Sequence, residues 1–228
     1  MTGIDQSSLS TEAQVEHHNN LMCRRGSERV GYRKFCARCD APGPFAPHDA
    51  RRRGLRAIVE QSVVVLTLWI ARWRCRKCRH VFTDTPPFVL PYKRYDASTH
   101  LRLARDYLEN DRRSYRQTVR HGKLPLGYRA SGNEVEERAL HHMTVWRTLL
   151  WLGAQLPALA SGREIILQQN PSSTCHRIVG AVAPHKFRNP QRERTLRQAR
   201  QLMALITEWE RTFPEKFFPR FATRSGFD

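Results

Sequence analysis

The sequence predicts a mainly α protein with a small β zinc ribbon: an N-terminal ribbon, a tri-helical helix-turn-helix, then a C-terminal helix. Three features predict it. Two Cys-x-x-Cys pairs, Cys36–Cys39 and Cys75–Cys78, bracket a strand-like run. Apolar residues then recur at helical spacing between residues 96 and 152. A last amphipathic stripe runs from Gln191 to Phe213.

The two cysteine pairs supply four thiolates, and tetrahedral zinc takes four soft ligands that two tight turns can present from opposite sides. The pairs lie 35 residues apart, beyond the compact spacing of about 15–20 residues. Loop closure grows only with the logarithm of length, so the long insert is tolerated. A thioredoxin-like dithiol needs one Cys-x-x-Cys at the strand–helix junction of a βαβ unit, whereas here strand-like residues flank the second pair. Cys36, Cys39, Cys75 and Cys78 are therefore the predicted ligands of one structural Zn2+ ion. Cys23 and Cys175 have no knuckle partner and read as ordinary thiols.

In chain order, residues 1–29 are rich in Ser, Asn, Gln and charge, and read as a flexible tail with a short helix around Thr11 to Asn19 as the alternative. His17 and His18 are adjacent and point apart on a helix, which argues against a shared metal role. Residues 30–92 form the predicted ribbon. Val63 to Arg74 reads as a strand from its β-branched and aromatic content. Its period of two puts Trp69, Ala71, Trp73 and Cys75 on one face and Arg72 and Arg74 on the other. Pro86-Pro87 ends the ribbon.

Residues 93–157 form the predicted helix-turn-helix. Asp96-Ala97-Ser98 offers N-caps for a helix to about Glu109, and a short second helix fits Arg113 to Arg120. A loop with Gly122, Pro125, Gly127 and Gly132 follows. The third helix is expected from near Asn133 to Leu152, ended by Gly153 and Pro157. In this layout the last helix lies in the major groove with its N-terminal part at the base edges. His142, Thr144 and Arg147 are the candidate readers, Arg147 by bidentate pairing with guanine. A plain helical bundle with a basic face is the alternative. In residues 158–228 a short strand is expected at Glu164 to Leu167, then a polar loop and the C-terminal helix. The apolar stripe of that helix packs on the third helix or forms a homodimer seam. The adjacent Cys175-His176 pair rarely has the geometry of nucleophile and base.

The net charge of +18 favours a polyanionic partner. The basic residues cluster, and Arg74, Arg76, Lys77, Arg112, Arg113, Arg116 and Arg120 are the candidate phosphate contacts. The first twenty residues contain Asp5, Glu12 and Glu16 and no apolar stretch, so no signal peptide is expected. The apolar run Val63 to Ala71 falls short of the about 20 residues that span a bilayer. A cytoplasmic, nucleoid-associated protein without membrane partners is expected, and reduced thiols there favour metal over disulfide.

The run Arg72-Trp73-Arg74-Cys75-Arg76-Lys77-Cys78-Arg79-His80-Val81-Phe82-Thr83-Asp84, a proline-rich connector and a helix with Thr144-Val145-Trp146-Arg147 together resemble the N-terminal targeting region of bacterial insertion-sequence transposases. The resemblance covers about residues 30–155. It implies that ribbon and helix-turn-helix bind an element's terminal repeats, with the four cysteines on the metal positions and Thr144 to Arg147 on the recognition helix. Such transposases cut DNA with three carboxylates that hold two metal ions. Beyond residue 140 this chain has Glu164, Glu193, Glu208, Glu210, Glu215 and Asp228, with no Asp on a predicted strand. The expectation is a zinc-containing DNA-binding protein, not an enzyme, that recognises transposon ends or an operator. Its partners would be duplex DNA and a separate transposase or recombinase subunit. The alternative is an RNA-binding or ribonucleoprotein adaptor, in which stacking replaces groove reading.

Overall fold

The computed structural model describes residues 10–23, 31–36, 38–59, 62–90, 93–110, 112–121, 127–130, 133–135, 140–174, 183–186, 189–214 and 217–220. Its first half contains α1 (Thr11–Met22), β1 (Ala46–Val59), β2 (Ser62–Arg74), β3 (Val81–Asp84), α2 (Ala97–Glu109) and α3 (Tyr115–His121). Its second half contains β4 (Gly127–Ala130), β5 (Asn133–Val135), α4 (Met143–Gly153), α5 (Leu156–Gln169) and α6 (Pro190–Thr212).

The β-branched and aromatic side chains of β2 make it the sheet's central strand. One edge of β2 pairs antiparallel with β1 along its whole length, from Ala46↔Arg74 to Val59↔Ser62, with an irregularity between Pro47 and Asp49. Three elements share the other edge. β3 pairs antiparallel with residues 71–74, and β4 pairs parallel with Ser62 to Val65, carrying β5 outward. Between them α1 stands in for a strand. Asn19 donates to the Thr67 carbonyl at 2.8 Å and accepts from the Trp69 amide at 3.0 Å. His18 Nε2 donates to the Trp69 carbonyl at 2.6 Å, which leaves Nδ1 to accept from the Tyr32 hydroxyl at 2.8 Å. Burial holds the His18 imidazole below its ordinary pKa; the Trp69 hydrogen bond opposes that shift and nearby His17 adds to it. An edge that would otherwise template pairing with another chain is thus closed.

The helices bury one large core. Leu103, Tyr107, Val145, Leu149, Leu152, Ile166, Leu202 and Trp209 meet there, and each large apolar side chain so removed from water contributes about 1.5–3 kcal/mol. Asp96 caps α2 by accepting from Thr99 N at 3.3 Å, and its carboxylate also accepts from Thr11 Oγ1 of α1 at 3.0 Å. Asn189 caps α6 through Arg192 N at 2.8 Å. Gly153 lets α4 cross α6: a Cβ there would lie 2.8 Å from the Thr195 carbonyl oxygen.

Three expectations are corrected. The fold is not mainly α with a small ribbon, because β1 and β2 run 14 and 13 residues and anchor a five-stranded sheet among the described residues. The helix-turn-helix is absent from the described residues. β4 and β5 intervene between α3 and α4, and the helix expected from Asn133 starts at Met143. Val145 and Leu149 of α4 face the core as expected, together with Leu152. The strand expected at Glu164 to Leu167 lies inside α5, where Pro157 sits in the first turn instead of terminating a helix. The stripe of α6 packs with α4 in the same core, the first of the two readings it was given.

Candidate metal centre and basic surfaces

The two knuckles are built alike. In the first, Cys36 N donates to the Ala41 carbonyl at 2.9 Å and Asp40 N to the Cys36 carbonyl at 3.1 Å. In the second, Cys75 N donates to the His80 carbonyl at 2.9 Å and Arg79 N to the Cys75 carbonyl at 3.0 Å. Each turn closes with a left-handed residue just after its second cysteine, Asp40 at φ 50° and Arg79 at φ 61°. This reversal aims both thiols of a pair at one point. The antiparallel strands β2 and β3 frame the second knuckle, while the Phe35↔Pro42 bridge frames the first.

The knuckles face each other. Cys36 Sγ lies 3.7 Å from Cys78 Sγ, and Cys39 Sγ lies 3.8 Å from Cys75 Sγ. All four sulfurs fall within 4.8 Å of one another. A tetrahedron with metal–sulfur bonds of about 2.3 Å has edges of about 3.8 Å. The tetrad can therefore hold one four-coordinate metal ion. Cys36 and Cys75 are buried, and Cys39 and Cys78 are half-buried. Burial pushes the Cys36 thiol up, but the amides of Arg38 and Cys39 and the neighbouring thiols bring it down to about 7. The Ala41 amide lowers Cys39, but Cys78, burial, Cys36 and Cys75 together raise it to about 12. Cys36 thus gives up its proton readily and Cys39 reluctantly, and a cation that replaces the protons removes that conflict.

Beneath the knuckles, Met22, Ala71, Trp73 and Phe82 form a separate small core. The Trp69–Cys75 face predicted from the strand period packs there. On the opposite face Arg72 pairs with Asp49 at 3.0 Å, and exposed Arg74 approaches His48 at 3.2 Å.

The predicted DNA contacts fall into separate groups. Arg74, Arg76 and Lys77 are exposed at the tetrad end of the hairpin, beside exposed Arg79 and, across the tetrad, Arg38. Arg112, Arg113, Arg116 and His142 line a cavity of about 660 Å³, where Arg113 is tied to Asp106 at 2.6 Å. Desolvation, with His141 and Arg116 beside it, lowers the His142 pKa. Arg120 is exposed on α3. Thr144 and Arg147 lie in the first turns of α4, where Arg147 is exposed and Thr144 is half-buried. Arg147 helps depress the pKa of Lys93, although burial of Lys93 is the larger cause.

One group, Lys186 and Arg192, escaped the sequence reading. Lys186 and Arg192 line the cavity from a 3-10 turn and from the start of α6. Both were scattered among polar residues, and only the fold assembles them. Arg51 and Arg52 project from β1 with Arg52 4.8 Å over the Trp69 ring, whereas Arg53 turns inward to the Leu90 and Lys93 carbonyls. His18, weighed as a ligand, is a structural link. Cys175 and His176 lie outside the described residues.

No helix among the described residues is long and apolar enough to cross a membrane. No curated protein and no solved structure matches the chain. Residues 36–121, from the first thiol of the tetrad to the last residue of α3, match a family model described as a domain of unknown function, DUF6431.

Proposed function

We propose that the protein is a zinc-containing DNA-binding protein in which the metal fixes a rigid basic hairpin against duplex phosphates. One observation carries the reading: the sulfur tetrahedron lies at the end of the β1–β2 hairpin, with exposed Arg74, Arg76 and Lys77 immediately around its ligands. Four cysteine sulfurs in a closed tetrahedral set suit a structural zinc ion, with iron the competing fit for such a donor set. The net charge of +18 supplies long-range attraction for a polyanion. Arginines on a rigid two-stranded ribbon suit duplex phosphates, and such ribbons also enter grooves. The likeness to transposase targeting regions now rests on the knuckles alone, so terminal repeats of a mobile element are one candidate target and an operator another.

Elemental analysis of the purified chain should give one zinc per chain. Duplex affinity at about 150 mM salt should fall at least tenfold, on all sequences alike, in Arg74→Gln/Arg76→Gln/Lys77→Gln. If all three touch phosphates, the slope of log affinity against log salt should shrink by about 2.7, at roughly 0.9 per lost contact. An unchanged slope would remove the hairpin from the interface.

One feature favours the RNA-adaptor reading. Phe35, next to the first metal ligand, is 59% exposed and could stack on an unpaired base. Tighter binding of single-stranded RNA than of duplex at matched salt, lost in Phe35→Ala, would replace the duplex assignment.

A further inference from the structure

The 660 Å³ cavity lies among α2, α3, α4 and the start of α6, away from the thiol tetrad. Its size is that of a small-molecule site, which usually spans about 300–1,000 Å³. Five cationic side chains line it, Arg112, Arg113, Arg116, Lys186 and Arg192, and none of its lining residues is acidic. Such a gathering of like charge is unfavourable unless an anion completes it.

The fold holds some of these cations in place and leaves others open. The Lys186 ammonium is buried, donates to the Tyr107 and Asn110 carbonyls and sits 4.0 Å from the centre of the Tyr107 ring. The Arg192 guanidinium lies over the rings of Tyr115 and Trp146, at 5.0 and 5.3 Å, and donates to Tyr107 Oη at 3.3 Å. Its Nε is buried with no hydrogen-bond partner among the described residues. Arg113 is tied to Asp106 at 2.6 Å. Arg112 and Arg116 are exposed, and neither has an ion-pair partner among the described residues. α4 and α6 both begin at this cavity, which adds the positive ends of two helix dipoles.

We propose that this cavity binds a nucleotide, with its phosphate held by Arg112, Arg116 and Arg192 and its base placed against the aromatic wall of Tyr115 and Trp146. Arginine presents a planar fork that matches a phosphate, and aromatic rings accept any base because every base has a π-face. A bare phosphate would satisfy the charge and leave the wall and most of the volume unused. The chemistry is shared by a free nucleotide and by an unpaired nucleotide of a strand. The proposal does not depend on the hairpin binding a duplex.

The test is calorimetric titration of the full, metal-loaded chain with adenosine monophosphate, with inorganic phosphate and with a 5′-phosphorylated oligothymidylate of ten nucleotides. Arg112 and Arg116 are exposed, so Arg112→Gln/Arg116→Gln should fold. Folding is checked by its thermal midpoint, and Arg163→Gln/Arg211→Gln, at exposed positions on α5 and at the end of α6, serves as the charge-matched control. Saturable binding of the mononucleotide, lost at least tenfold in the first variant and retained in the control, supports a free-nucleotide site. Binding of the oligonucleotide alone, with the same variant pattern, supports a site for a strand. Equal losses in both variants would reduce the cavity to diffuse charge and overturn the proposal. Inorganic phosphate binding as tightly as the mononucleotide would overturn the nucleotide assignment, as would no saturable binding of any probe.

Discussion

His100 shows how much one buried side chain can set. Its Nδ1 lies 2.7 Å from Thr148 Oγ1, and that hydroxyl already gives its proton to the Thr144 carbonyl at 2.8 Å. Nδ1–H must therefore donate, which leaves Nε2 as a buried lone pair without a partner among the described residues. Burial, then the Lys93 charge, push the His100 pKa down to about 3. The unfolded chain takes up this proton near 6.5, while the folded chain does not until about 3. Between those values only the unfolded state binds it, so stability falls as pH drops through the window and is fully present above 6.5. Replacing His100 with Asn keeps a donor near Nδ1 and removes the titration. In urea denaturation, the stability advantage of the wild type over His100→Asn should shrink by about 1.4 kcal/mol between pH 7.5 and 5.5. A constant difference would mean that His100 does not titrate in this window. Gly153 sets a second residue-scale limit. Gly153→Ala would bring a methyl 2.8 Å from the Thr195 carbonyl oxygen and should cost about 1–3 kcal/mol. A raised thermal midpoint would show that α4 and α6 can part without loss.

At the scale of elements, the edge of β2 is the feature to perturb. Asn19 replaces a neighbouring strand by giving one hydrogen bond to Thr67 and taking one from Trp69. Asn19→Ala should cost about 1–3 kcal/mol, and the Trp69 amide should exchange with deuterium faster than those of residues 71–74, which stay paired with β3. Uniform exchange along β2 would deny α1 this role. The same elements show what local patterning can reveal. The cysteine pairs and β2 are legible because spacing and β-branched content are local. β1 was hidden because Arg51, Arg52, Arg53 and Gly54 have little strand preference. Their extended form comes from pairing with residues 67–70 of β2. Ile165-Ile166 looked like strand for the converse reason: a short apolar run reads either way until its burial partners are known. The helix-turn-helix expectation failed at one joint, since nothing local signals that β4 would pair in parallel with β2, more than sixty residues earlier in the chain.

At the scale of the molecule, the proposed metal and the large core are separable sources of order. The core beneath the tetrad has four buried hydrophobic members, Met22, Ala71, Trp73 and Phe82. Such a core is too small to hold two knuckles in register, and a bound structural metal supplies that stability directly. The helical core is many times larger and shares no residue with it. Chelation of the metal, or Cys75→Ser, should therefore free the knuckles and the β2–β3 pairing while leaving the helices folded. Amide exchange at residues 71–84 should speed by at least tenfold, with emission from Trp69 and Trp73 altered and helical ellipticity nearly unchanged. The basic hairpin would lose its fixed geometry, and duplex affinity would fall with it. Nucleotide binding in the helical cavity would persist, because its lining residues come from α2, α3, α4, α6 and the 3-10 turn before α6. If the helical signal collapses with the metal, the tetrad instead organises the whole chain, and the two sites would be coupled through β2 and α1 rather than independent.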